Sequence, residues 1–435
     1  MSILNVNKIN PVGGGSTITI AGIASVTSSV TAPSFVGAVT GNVTGNVTGN
    51  VTGDATGLSG NPSINTTGIV TATSFVPTVG QLSHRNIIIN GAMLISQRGT
   101  SSTSSGYHTV DRFAVQFGGT DEAATQAQVD VASGTSPYTN GFRKALKITN
   151  GNQSSGAGAA DYIRYRIRLE AQDIANSGWN YTSSSSYITL SFWIKSSVAQ
   201  NFYGHLHAVD GTQQGYPFET GSLTADTWTK ITKTIPGNSN LTFNNNNALG
   251  LEISIYGYLG TDYTASGVSS NAWAAWSSST YTTDQTSTWW TTNDATLELT
   301  GVQLEVGSVA TPFEHRSAGD ELRRCGRYYQ KIAEGNAKAV AFCFHYNNQY
   351  ADWVLQYPMG PMRASPTLDQ VNGADYYYLH GGTGNSYLDG AFLIEHQQPT
   401  QANIYFDPDQ GLSAGGTGYL RTSNNSAYLA LSSEL

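Results

Sequence analysis

The residues of this 435-residue chain best equipped for recognition are aromatic. Between Tyr256 and Trp290 stand Tyr256, Tyr258, Tyr263, Trp273, Trp276, Tyr281, Trp289 and Trp290, interleaved with Ser, Thr and Asn. Flat rings stack on the faces of neutral sugars, and the hydroxyls and amides between them offer hydrogen bonds without charge. Trp273, Trp276 and Tyr263 are therefore candidate carbohydrate contacts. The competing reading is that such rings staple a long loop to the fold or pack between subunits, and for Trp289 and Trp290 it is preferred. A second cluster comprises Tyr346, Tyr350, Trp353, the run Tyr376-Tyr377-Tyr378 and His380. Alternation sends Tyr377 the opposite way from its neighbours, so three consecutive tyrosines cannot all face a core. Tyr346, Tyr350, Trp353, Tyr377 and His380 are taken as a second set of candidate contacts.

Other chemistries are weaker. His205-Leu-His207, with Asp210 nearby, puts two imidazoles on one face of a strand. An axial metal in an oligomer would need copies of this pair close together, whereas a position inside a β-sandwich holds them apart, so two ordinary strand histidines are expected and no metal. Gly411-Leu-Ser413-Ala-Gly415 matches the nucleophile-elbow pattern, but Gly416-Thr-Gly418 follows in place of a helix, which leaves Ser413 in a turn. Glycoside cleavage requires two carboxylates roughly 5 to 9 Å apart. Asp375, Asp389, Glu395, Asp407 and Asp409 are scattered over a short segment, and no run of β-helix rungs accompanies them. No catalytic residue and no cofactor is expected.

The elements that must carry these side chains are β-rich. Charged residues make up 11% of the chain against about 25% in ordinary soluble proteins, and Gly numbers 48. Ser, Thr and Asn favour turns and strands over helices. Twenty-one basic residues face 29 acidic ones, a net charge of −8, with no basic run for nucleic acid to use. Residues 1–15 lack the apolar core of a signal peptide, and apolar runs such as Ala339–Phe344 fall far short of a bilayer span, so no membrane insertion is expected. Cys325 and Cys343 are the only cysteines and sit among apolar residues, which reads as two buried thiols in a protein assembled in a reducing cytoplasm.

The first 85 residues differ in kind. From Gly37 to Gly60 a four-residue repeat places Gly every fourth position and Val39, Val43, Val47 and Val51 midway between. An extended chain has a side-chain period of two, so Gly and Val share one edge and Asn and Thr the other. Val and Gly alone cannot build a core within one chain, and the backbone would lack partners. Either the tract is disordered, as Gly/Ser/Thr/Asn-rich stretches often are, or identical chains associate and cover one another's edges; the strict Gly/Val alternation favours association, and a closed three-fold arrangement is the simplest that pairs every edge. Residues 1–85 are thus expected to include a Gly/Val stalk, with those valines at a homotrimer interface.

From residue 86 short alternating runs take over. Ile163, Tyr165, Ile167 and Leu169 oppose Tyr162, Arg164, Arg166 and Arg168, and further strands are read at residues 187–194, 251–256 and 295–302. Many strands between turn clusters indicate a β-sandwich over residues 86–316. One helix is expected over 317–332, capped at Ser317 and striped by Leu322, Cys325, Tyr329 and Ile332. Residues 333–435 return to short strands as a smaller distal β domain.

In this setting Ile87–Met93, Gln97-Arg98-Gly99, Asp111-Arg112-Phe113, Leu299–Gly307, Thr311-Pro-Phe-Glu314 and Glu321–Tyr329 follow one another in an order that resembles tail-fibre and related appendage proteins of tailed phages, notably those of marine bacteria and cyanobacteria. Met362-Arg-Ala-Ser-Pro366 and the terminal Ala-Leu-Ser-Ser-Glu-Leu extend the resemblance weakly. It implies a homotrimer with a glycine-rich stalk, a jelly roll resembling carbohydrate-binding modules and a distal head. It also implies a virion location, contacts to other virion proteins through the N-terminus, and attachment to a host surface glycan. The alternatives are a purely structural neck, head or baseplate fibre and a polysaccharide depolymerase.

Overall fold

Alternation decides the first half of the molecule. In the computed structural model, which describes residues 84–381, 384–408 and 412–435, Ile163, Tyr165, Ile167 and Leu169 enter a core while Arg164, Arg166 and Arg168 stand on the opposite face. The stalk valines Val39, Val43, Val47 and Val51 lie outside the described residues. Twelve strands follow in order: β1 (Ser101–Ser102), β2 (Phe113–Gly118), β3 (Thr125–Asp130), β4 (Lys144–Thr149), β5 (Tyr162–Glu170), β6 (Tyr187–Ser196), β7 (Asn201–Ala208), β8 (Gln214–Ser222), β9 (Thr229–Pro236), β10 (Leu249–Leu259), β11 (Ala274–Ala275) and β12 (Thr296–Val306). They form two six-stranded antiparallel sheets, ordered β1-β3-β4-β12-β6-β9 and β11-β8-β7-β10-β5-β2. Their inner faces share one core that includes Phe192, Ile194, Ile253, Ile255, Leu297 and Leu299, the sandwich the alternation requires. Tyr165 crosses it, its hydroxyl bonding to the carbonyls of Leu146 in β4 and Leu297 in β12. At Gly301, where β12 shifts register, φ is +63° and a Cβ would lie 2.7 Å from the Phe142 ring, so only glycine fits.

Among the described residues, three of the four helices are single turns: α1 (Ser136–Thr139), α2 (Ala171–Ala175) and α3 (Thr288–Thr291). The fourth, α4 (Ala318–Cys325), starts where the sequence places it, with the Asp320 N–H donating to the Ser317 hydroxyl at 3.1 Å. Its end corrects the expectation. The helix stops at Cys325, and Tyr329–Glu334 is strand β13. Two interactions draw the chain out of the helix. The Arg112 guanidinium sits 3.4 Å over the Tyr328 ring and that of Arg98 3.5 Å over Tyr329. The backbone beyond then pairs with the last strand of the chain.

The second half adds β14 (Ala339–His345), β15 (Ala351–Gln356), β16 (Thr367–Val371), β17 (Tyr377–Gly381), β18 (Gly384–Leu388), β19 (Leu393–Glu395), β20 (Gln401–Phe406), β21 (Thr417–Thr422) and β22 (Tyr428–Ser432). A three-stranded sheet, β13-β22-β16, and a seven-stranded one, β18-β17-β21-β14-β15-β20-β19, enclose a second core around Trp353, Tyr377, Phe392 and Phe406. All the described residues belong to one compact unit.

Asn90, Gln97-Arg98, Asp111-Arg112 and Glu321–Tyr329 meet at the junction between these halves, whereas Leu299–Val306 is strand β12 of the sandwich. The Asn90 N–H donates to the Glu321 carboxylate. Gln97 donates to Asp111 through its backbone and to the Tyr329 carbonyl through its side chain. Arg98 and Arg112 both reach Glu434, and Arg168 donates to a main-chain oxygen of Leu435 at 2.6 Å. Glu170 accepts both Arg327 nitrogens and the Tyr328 hydroxyl. Arg112 is buried at φ +71°, a left-handed conformation that a bulky residue keeps only when its surroundings fix it. No helix among the described residues is long and apolar enough to cross a membrane.

Candidate functional site

The outer face of the second sheet presents His205 and His207 from β7 beside Ser254 and Glu252 of β10, because register pairs His205 with Ser254 and His207 with Glu252. The long connection from β10 to α3 folds back over this face. The Trp276 N–H donates to the Gln213 carbonyl at 2.9 Å, and Trp273 Nε1 donates to the Pro236 carbonyl at 2.7 Å. Gly215 permits the approach, since a Cβ there would lie 2.9 Å from the Trp276 ring.

A column of rings results. His207 stacks on Trp276 with centroids 3.6 Å apart and planes within 10°, and Tyr281 stacks on the same indole at 4.4 Å and 23°. Two near-parallel rings that close to one centroid would overlap if they shared a face, so they cover both faces of Trp276. Tyr263 continues the column 5.7 Å from Tyr281, and Tyr162 closes it edge-on at 6.1 Å. His205 lies against Trp276, Tyr281 and Tyr256 at 5.0, 5.4 and 5.6 Å. Trp276 is thus a clamp for the loop rather than an open stacking platform. Its edge, not its face, meets solvent.

The two imidazoles of the column carry no charge, although the Arg164 guanidinium lies 6.0 Å from the Tyr162 ring. Burial pulls the His205 imidazole down to about 3, and burial lowers His207 as well, so both rings are neutral near pH 7. His205 Nδ1 bonds the Tyr256 hydroxyl at 3.0 Å, while its Nε2 is buried without a hydrogen-bond partner. His207 Nε2 bonds Gln213 at 2.9 Å. On the same face Glu252, the cross-strand partner of His207, accepts from Arg164, Arg166 and Arg168 at 3.2, 2.7 and 3.1 Å, and Gln116 bridges Arg164 and Arg166.

Between loop and sheet edge runs an open groove of about 550 Å³. Trp273, Trp276 and Tyr281 line it with Ser266, Ser269 and Thr280, and every lining residue is uncharged. Indole edges, hydroxyls and bare backbone in one neutral concavity form an adaptable, low-charge surface.

The sequence-predicted residues separate clearly. Trp273, Trp276 and Tyr263 gather at this loop, Trp273 and Trp276 on the groove and Tyr263 in the column behind it. Trp289 and Trp290 are fully buried, donating to the Thr296 and Gly156 carbonyls. Trp353 and Tyr377 do not form a surface. Both lie in the second core, Trp353 edge-on to Phe392 and Phe406, and the Tyr377 hydroxyl donates to the Tyr428 carbonyl at 2.8 Å. The alternation in the tyrosine run is real, but it is the middle residue that faces inward. Tyr346 is 70% exposed, Tyr350 is half-buried edge-on to Tyr405, and His380 is exposed and bonded to Asn385. His207, Tyr281 and Tyr162 are the members of the column that sequence reasoning does not select. Their one sequence signal, an aromatic-rich loop and a histidine pair, does not say that they meet.

Ser413 is exposed beside a turn. Asp407 accepts from Gln349, Glu395 from Asn403, and Asp389 from the Asp375 N–H. Among the described residues no three His, Cys, Asp or Glu side chains are grouped to hold a metal ion, and Cys325 and Cys343 are buried free thiols.

No protein-family model and no curated protein sequence matches the chain. Similar solved structures include the enzymatically active domain of bacteriophage CBA120 tailspike protein 4, at 8% identity and TM-score 0.27, covering 51% of this chain and 21% of that one. The chain thus spans about a fifth of the tailspike domain's length. The N-terminal cellulose-binding domain of Cellulomonas fimi β-1,4-glucanase C is similar at 13% identity and TM-score 0.24, over 50% of this chain and 99% of that one. The CBM22-1–CBM22-2 tandem domain of Paenibacillus barcinonensis Xyn10C is similar at 9% identity and TM-score 0.25, over 83% of this chain and all of that one.

Proposed function

We propose that this protein is a non-catalytic glycan-binding component of a tailed-phage particle, a homotrimeric fibre that holds a neutral host-surface polysaccharide. The observation that carries the glycan reading is the groove, in which tryptophan and tyrosine edges and hydroxyls line 550 Å³ with no charged group. The fibre reading draws on the valine repeat and the order of the junction motifs. Self-association has a second support. On the outer face of the seven-stranded sheet Phe342 is 81% and Val354 61% exposed on the neighbouring strands β14 and β15, with Phe344 exposed on β14 and Tyr346, 70% exposed, just past its end. A contiguous apolar face of this kind on a monomer marks an interaction surface. Three weak glycan sites on one shaft gain affinity through effective concentration.

Affinity electrophoresis of the full chain through gels containing neutral polysaccharides tests the proposal. Retardation by at least one polysaccharide, lost in Trp273→Ala, supports it. Unchanged mobility with every polysaccharide, or a Trp273→Ala variant retarded as strongly as wild type, overturns it.

A further inference from the structure

A second opening differs in chemistry from the neutral groove. It is a cleft of about 560 Å³ between the segment 84–89, helix α2 and the end of α4. Arg85, Arg323, Arg324 and Arg327 line it, with Asp173 as the one carboxylate among the lining residues. Two of these cations are already satisfied. Arg327 donates to Glu170 from Nε and Nη2 at 2.6 and 2.7 Å, and Arg323 pairs with Asp320 at 2.9 Å.

The other two have no carboxylate partner among the described residues. Arg324 donates to Nδ1 of His84 at 3.0 Å, and Arg85 to the Pro312 carbonyl at 3.0 Å. Arg85 Nε is buried with nothing to bond. The 83 residues that lead into the cleft carry a single acid, Asp54, so that segment brings almost no anion to the position. In a protein of net charge −8, guanidinium donors left over in one concavity are a local inversion of the overall field.

The guanidinium fork fits two oxygens of an oxyanion, and bonds between ionised partners are roughly twice as strong as neutral ones. We infer that this cleft binds a single oxyanion, a sulfate, phosphate or carboxylate group carried on a ligand, through Arg85 and Arg324. Gln172 and Asn176 line the same cleft, with their side-chain amides already donating to Glu170 and to the Gln172 carbonyl and Asn245, so the guanidinium groups carry the binding. The site is separate from the groove and does not rest on the glycan reading.

Isothermal titration of the full chain with sodium sulfate and with sodium acetate, against sodium chloride at matched ionic strength, tests it. Saturable heat from sulfate or acetate beyond chloride is expected, with affinity falling at least tenfold in Arg324→Gln and in Arg85→Gln. Arg143→Gln, which removes an exposed cation stacked on Tyr138 elsewhere, leaves the affinity unchanged. Tighter sulfate assigns tetrahedral esters as the ligand group, and tighter acetate assigns carboxylates. Circular dichroism of each variant separates loss of the site from loss of the fold, and Arg324→Lys, which keeps charge without the fork, is expected to bind at an intermediate level. Equal behaviour of all three salts on the wild type, or wild-type affinity in the folded Arg85→Gln/Arg324→Gln double variant, overturns the inference.

Discussion

Replacing His205 by glutamine should change how the fold responds to acid. In the folded protein burial holds the imidazole at about 3, whereas in the unfolded chain it returns to about 6.5. The unfolded state therefore takes up the proton first, and the stability contributed by a neutral His205 is complete above pH 6.5 and is lost as pH falls toward 3. Each pH unit in that window costs up to about 1.4 kcal/mol. Between pH 6.5 and 4.5 the loss is roughly 2.3 kcal/mol, a sizeable share of a typical domain's stability. Glutamine keeps a polar group near the Tyr256 hydroxyl but cannot titrate. Urea unfolding of wild type and His205→Gln at pH 7.5, 6.5, 5.5 and 4.5 gives the difference free of other titrating groups. The wild type's advantage over the variant should shrink by about 3 kcal/mol across the series, and near-UV circular dichroism should show the tryptophan environment loosening in step. Curves that stay parallel would refute the assignment of His205 as a buried neutral base beneath the ring column.

Asp173 titrates in the opposite sense. Burial, reinforced by Glu170, raises its carboxyl to about 6, so its contribution is present at low pH and lost as pH rises through 6. Asp173→Asn is expected to stabilise the protein by about 1–2 kcal/mol at pH 7 and not at pH 3.5, measured by urea denaturation. Trp276→Ala strips the indole from between His207 and Tyr281, costing about 1–3 kcal/mol for two ring pairs, and should open residues 260–287 to limited proteolysis. Glu434→Gln leaves buried Arg112 and Arg98 without their shared carboxylate and should cost about 3 kcal/mol, read as a lower thermal midpoint. Phe342→Ser with Phe344→Ser should reduce the mass found by light scattering while the circular dichroism spectrum is kept.

Much of the fold is legible where one local rule acts alone. The alternation in Tyr162–Glu170 gives β5 and its faces, and Ser317 with Asp320 marks the start of α4. The end of α4 is hidden because Tyr329 and Ile332 keep helical spacing by coincidence. What converts them to strand is pairing with Ser432 and its neighbours and the guanidinium of Arg98, 231 positions earlier in the chain. The candidate site shows the same division. Tryptophans in a polar loop announce recognition chemistry, yet whether Trp276 offers its face depends on His207, which the sequence places on a different strand. Trp353 and Tyr377 were misjudged for a related reason: composition identifies a ring but not which side of a sheet is closed by a second one.

The salt bridge between Arg112 and Glu434 spans 322 positions of chain. A ribosome that has already delivered the first sandwich must go on translating before that acid emerges, at roughly 5–20 residues per second. Until then Arg98 and Arg112 lack the carboxylate that both reach in the folded protein. The junction is closed by contacts of long sequence separation, which a fragment ending at the sandwich has no means of making.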